Sequence, residues 1–493
     1  MRPPRAPFVC MRCRIRPSQT RFFHASVPRR NNPNPTTTAE TAPSRPTTAP
    51  RPIIDIKHIR QNPTLHEQNC IERNYKGQSA YPAQINILHQ QWQEQQRDAR
   101  SLRERSNLLR KQIANAASVT DDEGPAAARL RSMSKEELLA EAKQLKEKLS
   151  TIEQTEDRLT SEIEEKALAI PNLTSDSTPR GDEALVLSYI NDHPEPVPSE
   201  SDRVWRSHVH IGSELGLLDF AGAATASGWG WYYLLDDGAR LEQALIQFAL
   251  AVATRHGWRQ VTPPSMVYGH IAAACGFQPR DQHGETQIYS LAQSAADRDR
   301  GRPELVLAGT AEIPLAGMKA DTLLEESELP LKRVGISRCY RAEAGARGVD
   351  TKGLYRVHEF NKVEMFAWAE PNLSSTTELF DEIVDIQTEI LEMLGLHCRI
   401  LEMPSTDLGA SAARKCDIEA FFPRATRRLA TRVKSDGKMT FPWTVNGTAL
   451  AVPRVLAAIL ENGWDESEMH VKLPECLWEL MGTEAIGMKH RIK

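Results

Sequence analysis

The chain has 493 residues, 40% of them hydrophobic and 26% charged, with a formal net charge of −4. That is the length of about two to three domains and the balance of a soluble globular protein, and it excludes a disordered or strongly polybasic chain. No apolar run approaches a membrane span, so no transmembrane segment is expected. The eight cysteines are scattered, and only Cys10 and Cys13 stand at C-x-x-C spacing, which excludes a disulfide scaffold. The other six are expected as reduced, mostly buried thiols.

Residues 1–30 contain eight Arg and no acidic residue, and the first acid is Glu40. This composition is that of a mitochondrial transit peptide, with Arg21-Phe22-Phe23-His24-Ala25-Ser26 as its processing region, or else of a disordered basic tail that is not imported. Residues 31–50 are rich in Pro, Thr, Asn and Ala and read as a linker.

Asn62-Pro63 signals a helix start. From Pro82 an apolar stripe runs through Ile85, Leu88, Trp92, Leu102, Leu109 and Ile113. Asp121-Asp122-Glu123-Gly124-Pro125 breaks it. A second stripe follows through Leu138, Ala142, Leu145, Leu149, Ile152, Leu159 and Ile163, and Pro171 ends it. The spacing is that of a coiled-coil seam and predicts two long antiparallel helices. The first helix carries Arg97, Arg100, Arg103, Arg105, Arg110 and Lys111 against Asp98 and Glu104, and the return helix is acidic. Such a basic face suits either a phosphate backbone or plain solvation of a coiled coil.

Gly238-Ala239-Arg240-Leu241-Glu242 opens a predicted helix through about Thr254, stopped by Gly257. Trp258 to Pro264 reads as a strand ending in prolines. Thr310 and Glu312 are expected on one face of a strand, as are Arg341 and Glu343. Two strands flank a Gly-rich loop. The first is led by Val334 and Ile336, and the second is built from Tyr355, Val357, Phe360, Val363 and Met365.

Three ordered stretches carry a resemblance. Arg338-Cys339-Tyr340-Arg341-Ala342-Glu343, continuing to Met365, resembles motif 2 of the class II aminoacyl-tRNA synthetases in the wording of the seryl enzymes. Leu307-Ala308-Gly309-Thr310-Ala311-Glu312 resembles their serine-binding segment, and Asn446-Gly447-Thr448-Ala449-Leu450-Ala451-Val452-Pro453-Arg454 their motif 3. The helix, strand and proline unit from Gly238 to Pro264 is similar to motif 1, which implies a homodimer.

The resemblance implies an α+β fold: an antiparallel β-sheet core flanked by helices, with an N-terminal helical hairpin. The expected domains are residues 1–50 (transit peptide and linker), 51–175 (tRNA-binding arm) and 176–493 (catalytic domain). It implies activation of L-serine with ATP and Mg²⁺ to seryl-adenylate and transfer to tRNA(Ser), in the mitochondrial matrix. Thr310, Ala311, Glu312, Glu364 and Thr448 fall at serine-binding positions. Arg341, Ala342, Glu343, Val357, Phe360 and Arg454 fall at ATP positions, with Arg341 and Arg454 catalytic. The six basic arm residues would meet tRNA, and no residue is assigned as a metal ligand.

Two departures stand out. The family usually has Gly where Ala449 and Pro453 stand, and commonly Ser where Thr448 stands. After Asp417-Ile418-Glu419-Ala420-Phe421-Phe422-Pro423, a strand bearing an ATP-binding Glu and Ser is replaced at once by Arg424-Ala425-Thr426. The shortfall of roughly 20 residues is one to two strands of ordinary length. It implies either an omitted coding segment or a catalytically impaired tRNA-binding isoform.

Overall fold

The computed structural model describes residues 54–114, 133–191, 206–277, 287–343, 353–420 and 443–487. The transit-type segment, Cys10, Cys13, the break at Asp121 to Pro125, Gly345, Gly348 and the junction at Pro423 lie outside the described residues.

Helices α1 (Ile56–Gln61) and α2 (Pro63–Glu72) lead into α3 (Tyr81–Ala114) and α4 (Lys135–Ala169). At 1.5 Å per residue each long helix spans about 50 Å. They run antiparallel: Ile85, early in α3, packs with Ile163, late in α4, and Leu109 packs with Leu138. A capping box starts α4, in which the Ser134 hydroxyl accepts from Glu137 N–H and the Glu137 carboxylate accepts from Ser134 N–H.

Buried Arg73, just after α2, fixes the root of this hairpin by donating to the carbonyls of Asn172 and Gly409. Asn69 adds a bond to Asn172 O at 3.0 Å, and the Ser405 hydroxyl donates to Glu72 O at 3.0 Å.

The body follows as β1 (Leu185–Ile190), α5 (His208–Glu214), α6 (Asp236–Arg255), β2 (Arg259–Val261), β3 (Met266–Tyr268), β4 (Leu305–Leu307), α7 (Glu312–Gly317), β5 (Leu331–Tyr340), β6 (Glu359–Ala369), α8 (Leu373–Met393), β7 (Cys398–Glu402), β8 (Cys416–Ala420), β9 (Trp443–Ala451) and α9 (Val452–Gly463). The main sheet has the order β9-β6-β5-β2, antiparallel except for the β2–β5 pair. A second antiparallel sheet has the order β1-β7-β8.

Period-2 alternation divides β6 between two environments. Val363, Met365 and Ala367 enter the main core with Leu241 and Leu245 of α6, Ile383 and Ile386 of α8, and Leu456 and Ile459 of α9. Phe366 and Trp368 face the other way, onto Ala311 and Leu315. Gly447 lets α8 close on β9, because a Cβ there would lie 2.4 Å from Ile383 Cγ2.

The structure corrects three expectations. Thr310 and Glu312 do not share a strand: β4 ends at Leu307 and Glu312 opens α7. Pro314 fits that first helical turn, where its missing N–H costs no bond, and Ile313 and Leu315 are buried there. Arg341 and Glu343 lie just past the end of β5, with Glu343 at φ +47°. Tyr355 and Val357 precede β6: Gly353–Tyr355 form a 3₁₀ turn, with Gly353 at φ +62° against His208. The Leu354 N–H donates to His208 Nε2 at 2.9 Å, which takes the chain off the strand path.

Candidate functional site

On the β6 face opposite the main core, Phe360, Lys362 and Glu364 follow one another two residues apart and line a cavity of about 410 Å³. Thr310, Glu312, Arg341, Glu343, Val357, Thr448 and Arg454 line the same cavity. All the expected serine- and ATP-position residues therefore converge except two. Ala311 is fully buried behind the wall, and the Ala342 N–H donates to Gln287 O at 3.2 Å.

At its polar end the cavity is built around Glu364, which is 1% exposed. Its carboxylate accepts from Lys362 Nζ at 2.6 Å, Thr448 Oγ1 at 3.1 Å and Asn446 Nδ2 at 3.4 Å. Asn446 Nδ2 also donates to Glu312 at 3.2 Å, tying the two carboxylates together. Removal from water, then the neighbouring Glu364 charge, raises Glu312 to about 7; Lys362, Arg341 and Asn446 act against this. With Glu312 ionised, the two carboxylates and the buried ammonium carry a formal charge of −1 at this end. Lys362 and Asn446 were not assigned roles in the sequence reading. The signal for Lys362 was there, since it stands on the same strand face as Phe360 and Glu364.

Thr448 reaches Glu364 through an irregularity in β9. Thr448 pairs with Glu364 and Leu450 with Val363, so Ala449 is an extra residue that bulges the strand. Its methyl is buried there without breaking the pairing. Pro453 stands in the first turn of α9, where a helix has no use for its N–H. Ala449 and Pro453 are thus both accommodated locally.

The two arginines approach from different elements. Arg341 donates from Nε to Gly309 O at 3.3 Å, and its guanidinium lies 5.3 Å from the centre of the Phe360 ring. Arg454 donates from Nε to Tyr355 O at 3.0 Å. Burial, and after it Arg341, lowers Arg454 to about 10, so it stays a cation at neutral pH. Glu343 pairs with Arg356 at 3.2 Å.

A buried network holds the Tyr355 turn in place. Glu461 of α9 accepts from the Tyr355 hydroxyl at 2.6 Å and from His208 Nδ1 at 2.7 Å. His208 and Glu461 are each 1% exposed. Because His208 Nε2 accepts from Leu354 N–H, its proton sits on Nδ1. Among the described residues, no group of three or more His, Cys, Asp or Glu is placed to hold a metal ion.

The six basic arm residues lie away from the cavity, on α3. Arg103 and Arg105 cross to Glu156 and Glu141 of α4, and Arg100 pairs with Glu104 on its own helix. Arg97, Arg100, Arg110 and Lys111 are exposed.

Residues 53–174 match the seryl-tRNA synthetase N-terminal domain, and residues 293–463 match the tRNA synthetase class II core domain (G, H, P, S and T). The mitochondrial serine–tRNA ligase of Saccharomyces cerevisiae is 42% identical over 71% of this chain and 79% of its own length. That of Schizosaccharomyces pombe is 37% identical over 86% and 87%. The crystal structure of seryl-tRNA synthetase from Pyrococcus horikoshii complexed with ATP aligns with a TM-score of 0.74 at 29% identity, covering 88% of this chain and 99% of that one.

Proposed function

The chain belongs to the seryl-tRNA synthetase family of class II aminoacyl-tRNA synthetases, and from this we propose how its cavity and arm charge tRNA(Ser) with serine in the mitochondrial matrix. The observation that carries the reading is the Glu364 cluster, with Thr448, Asn446, Lys362 and Glu312 joined in one cavity to Arg341 and Arg454. The cluster supplies anionic acceptors for an α-ammonium and paired polar groups for a hydroxyl. A site built to bond a hydroxyl rejects an analogue that lacks it, because its own groups are then left unpaired, and this is what separates serine from alanine.

In the first step the serine carboxylate attacks the α-phosphorus of ATP and pyrophosphate leaves. Arg341 holds the serine carboxylate and α-phosphate, and Arg454 the γ-phosphate. A guanidinium fork matches phosphate oxygens and stays charged. Glu343 accepts from the adenine amino group, Phe360 offers its ring face, and Val357 closes that side. Mg²⁺ enters with the nucleotide as part of the substrate. In the second step the terminal ribose hydroxyl of the tRNA attacks the seryl-adenylate.

The arm presents Arg97, Arg100, Arg110 and Lys111 to the tRNA backbone, while Arg103 and Arg105 hold the hairpin together. Recognition there is of shape and phosphate rather than base edges. Helix α6 and β2 form the homodimer contact, residues 1–50 direct import, and the segments 51–175 and 176–493 act as arm and catalytic body.

The test is serine-dependent ATP–pyrophosphate exchange by the chain without its first 40 or so residues, the presumed transit segment, with alanine, threonine and glycine as controls. Exchange with serine alone is expected. Exchange with none of the four, by a protein that still binds tRNA(Ser), would leave an impaired tRNA-binding isoform.

A further inference from the structure

Lys362 is a buried cation inside the cavity. It is 7% exposed, and its Nζ lies 2.6 Å from Glu364 Oε2, the oxygen that Thr448 Oγ1 also bonds. With Glu312 ionised, its charge brings the Glu312–Glu364 pair from −2 to −1, a match for one ammonium. Taking the cavity as the serine pocket, we infer that Lys362 is a specificity-determining residue. It limits the pocket to amino acids with a single ammonium and so selects serine against L-2,3-diaminopropionate, in which an ammonium replaces the hydroxyl.

The two amino acids have nearly the same shape, and carboxylates such as Glu364 and Glu312 would welcome a second cation. With Arg341 committed to the substrate carboxylate and α-phosphate, Lys362 is the resident cation left to refuse it. A unit charge a few ångströms away in an enclosed site shifts an equilibrium by about 100-fold or more. The charged and titratable groups around Glu312 are Glu364 and Lys362 from β6, Arg341 past β5, and the Cys275 thiol, itself pushed up by burial. Without Lys362, Arg341 is the remaining cation beside the two carboxylates among the described residues, and the proton on Glu312 is held to higher pH.

The experiment compares exchange supported by serine and by L-2,3-diaminopropionate in the unmodified chain, Lys362→Met and Lys362→Arg. We expect the Met variant to move the preference toward the diamino acid by about 100-fold or more. Its serine KM should rise more than its kcat falls, and its serine pH profile should move to higher pH. The Arg variant should keep the original preference. A Met variant that loses serine activity with the ratio of the two substrates unchanged overturns the inference, as does one that keeps both activities unchanged.

If the Met variant does not fold by its melting curve, a pH series on the unmodified chain decides. Rising pH removes one of the two ammonium charges of the diamino acid and must erode its rejection, and pH-independent rejection overturns the inference. If the unmodified chain shows no serine-dependent exchange, the catalytic reading fails by itself. The same ratio is then read by calorimetric binding of the two amino acids to the three proteins.

Discussion

The arm and the cavity use the same residues, arginine, lysine and glutamate, to opposite effect. On the arm, Arg100 and Glu104 meet at 3.2 Å with side chains 82% and 67% exposed. In the cavity, Lys362 and Glu364 meet at 2.6 Å with side chains 9% and 2% exposed. Water screens the first pair to a few tenths of a kcal/mol. The second pair is shielded, so losing one partner leaves a buried charge uncompensated. Contact distance alone does not rank an ion pair; its surroundings do. The arm's charges stand in water, whereas the cavity's are held in place by their partners.

Substitutions test this contrast, and the largest effect is expected at Arg341. Arg341→Ala should lower serine-dependent exchange by about 1,000-fold with the melting temperature nearly unchanged, because in the proposed function it is the preorganised cation at the reacting phosphate. A loss of less than tenfold would remove Arg341 from the chemistry. Next comes His208→Ala, which strips buried Glu461 of one of its two side-chain donors. Urea unfolding should show a loss of about 3 kcal/mol. The KM for ATP should rise as well, since the Tyr355 turn holds Arg454. An unchanged unfolding midpoint would mean that the network is not structural.

Glu312→Gln sharpens the comparison with opposite signs for stability and activity. Glu312 is raised from 4.5 to about 7 in the folded chain. Between those values the folded state binds a proton that the unfolded state releases, so stability falls as pH rises through that window. Gln removes the penalty. Calorimetry at pH 8 should find the variant more stable by at most about 3 kcal/mol, with the gain vanishing near pH 4. Its serine KM should rise at pH 8, and that of the unmodified chain should rise as pH falls through about 7.

The smallest expected effect is on the arm. Arg100→Ala should cost under about 0.5 kcal/mol of stability. It should weaken tRNA(Ser) binding and flatten the salt dependence by a slope of about 1. Filter binding across a salt series measures this, and an unchanged slope would take Arg100 off the tRNA surface.

Much of this was legible in the chain. The apolar stripes of the arm are local signals, and the helices formed where they pointed. The two-residue rhythm of Phe360, Lys362 and Glu364 fixes which side of β6 faces the cavity. Local rules failed where distant residues decide. The turn at Tyr355 is bent by His208, nearly 150 positions earlier, and Glu461, over 100 later. Thr310 and Glu312 looked like strand residues because nothing nearby shows that Ile313 and Leu315 are buried as a helical turn. The basic run on α3 could not reveal that Arg103 and Arg105 close on Glu156 and Glu141, because the pairing partner is another helix.

The root of the arm has a consequence for how the chain is made. The stripes of α3 and α4 let them zip together as soon as both have been synthesised, because their contacts are local and close quickly. Arg73, however, finds one of its two carbonyl partners at Gly409, 336 positions downstream. The hairpin therefore leaves the ribosome complete but unmoored, with a buried-type guanidinium waiting in water. The joint between arm and body is among the last contacts to form, and the order of synthesis, N-terminus first, makes the arm the body's guest rather than its template.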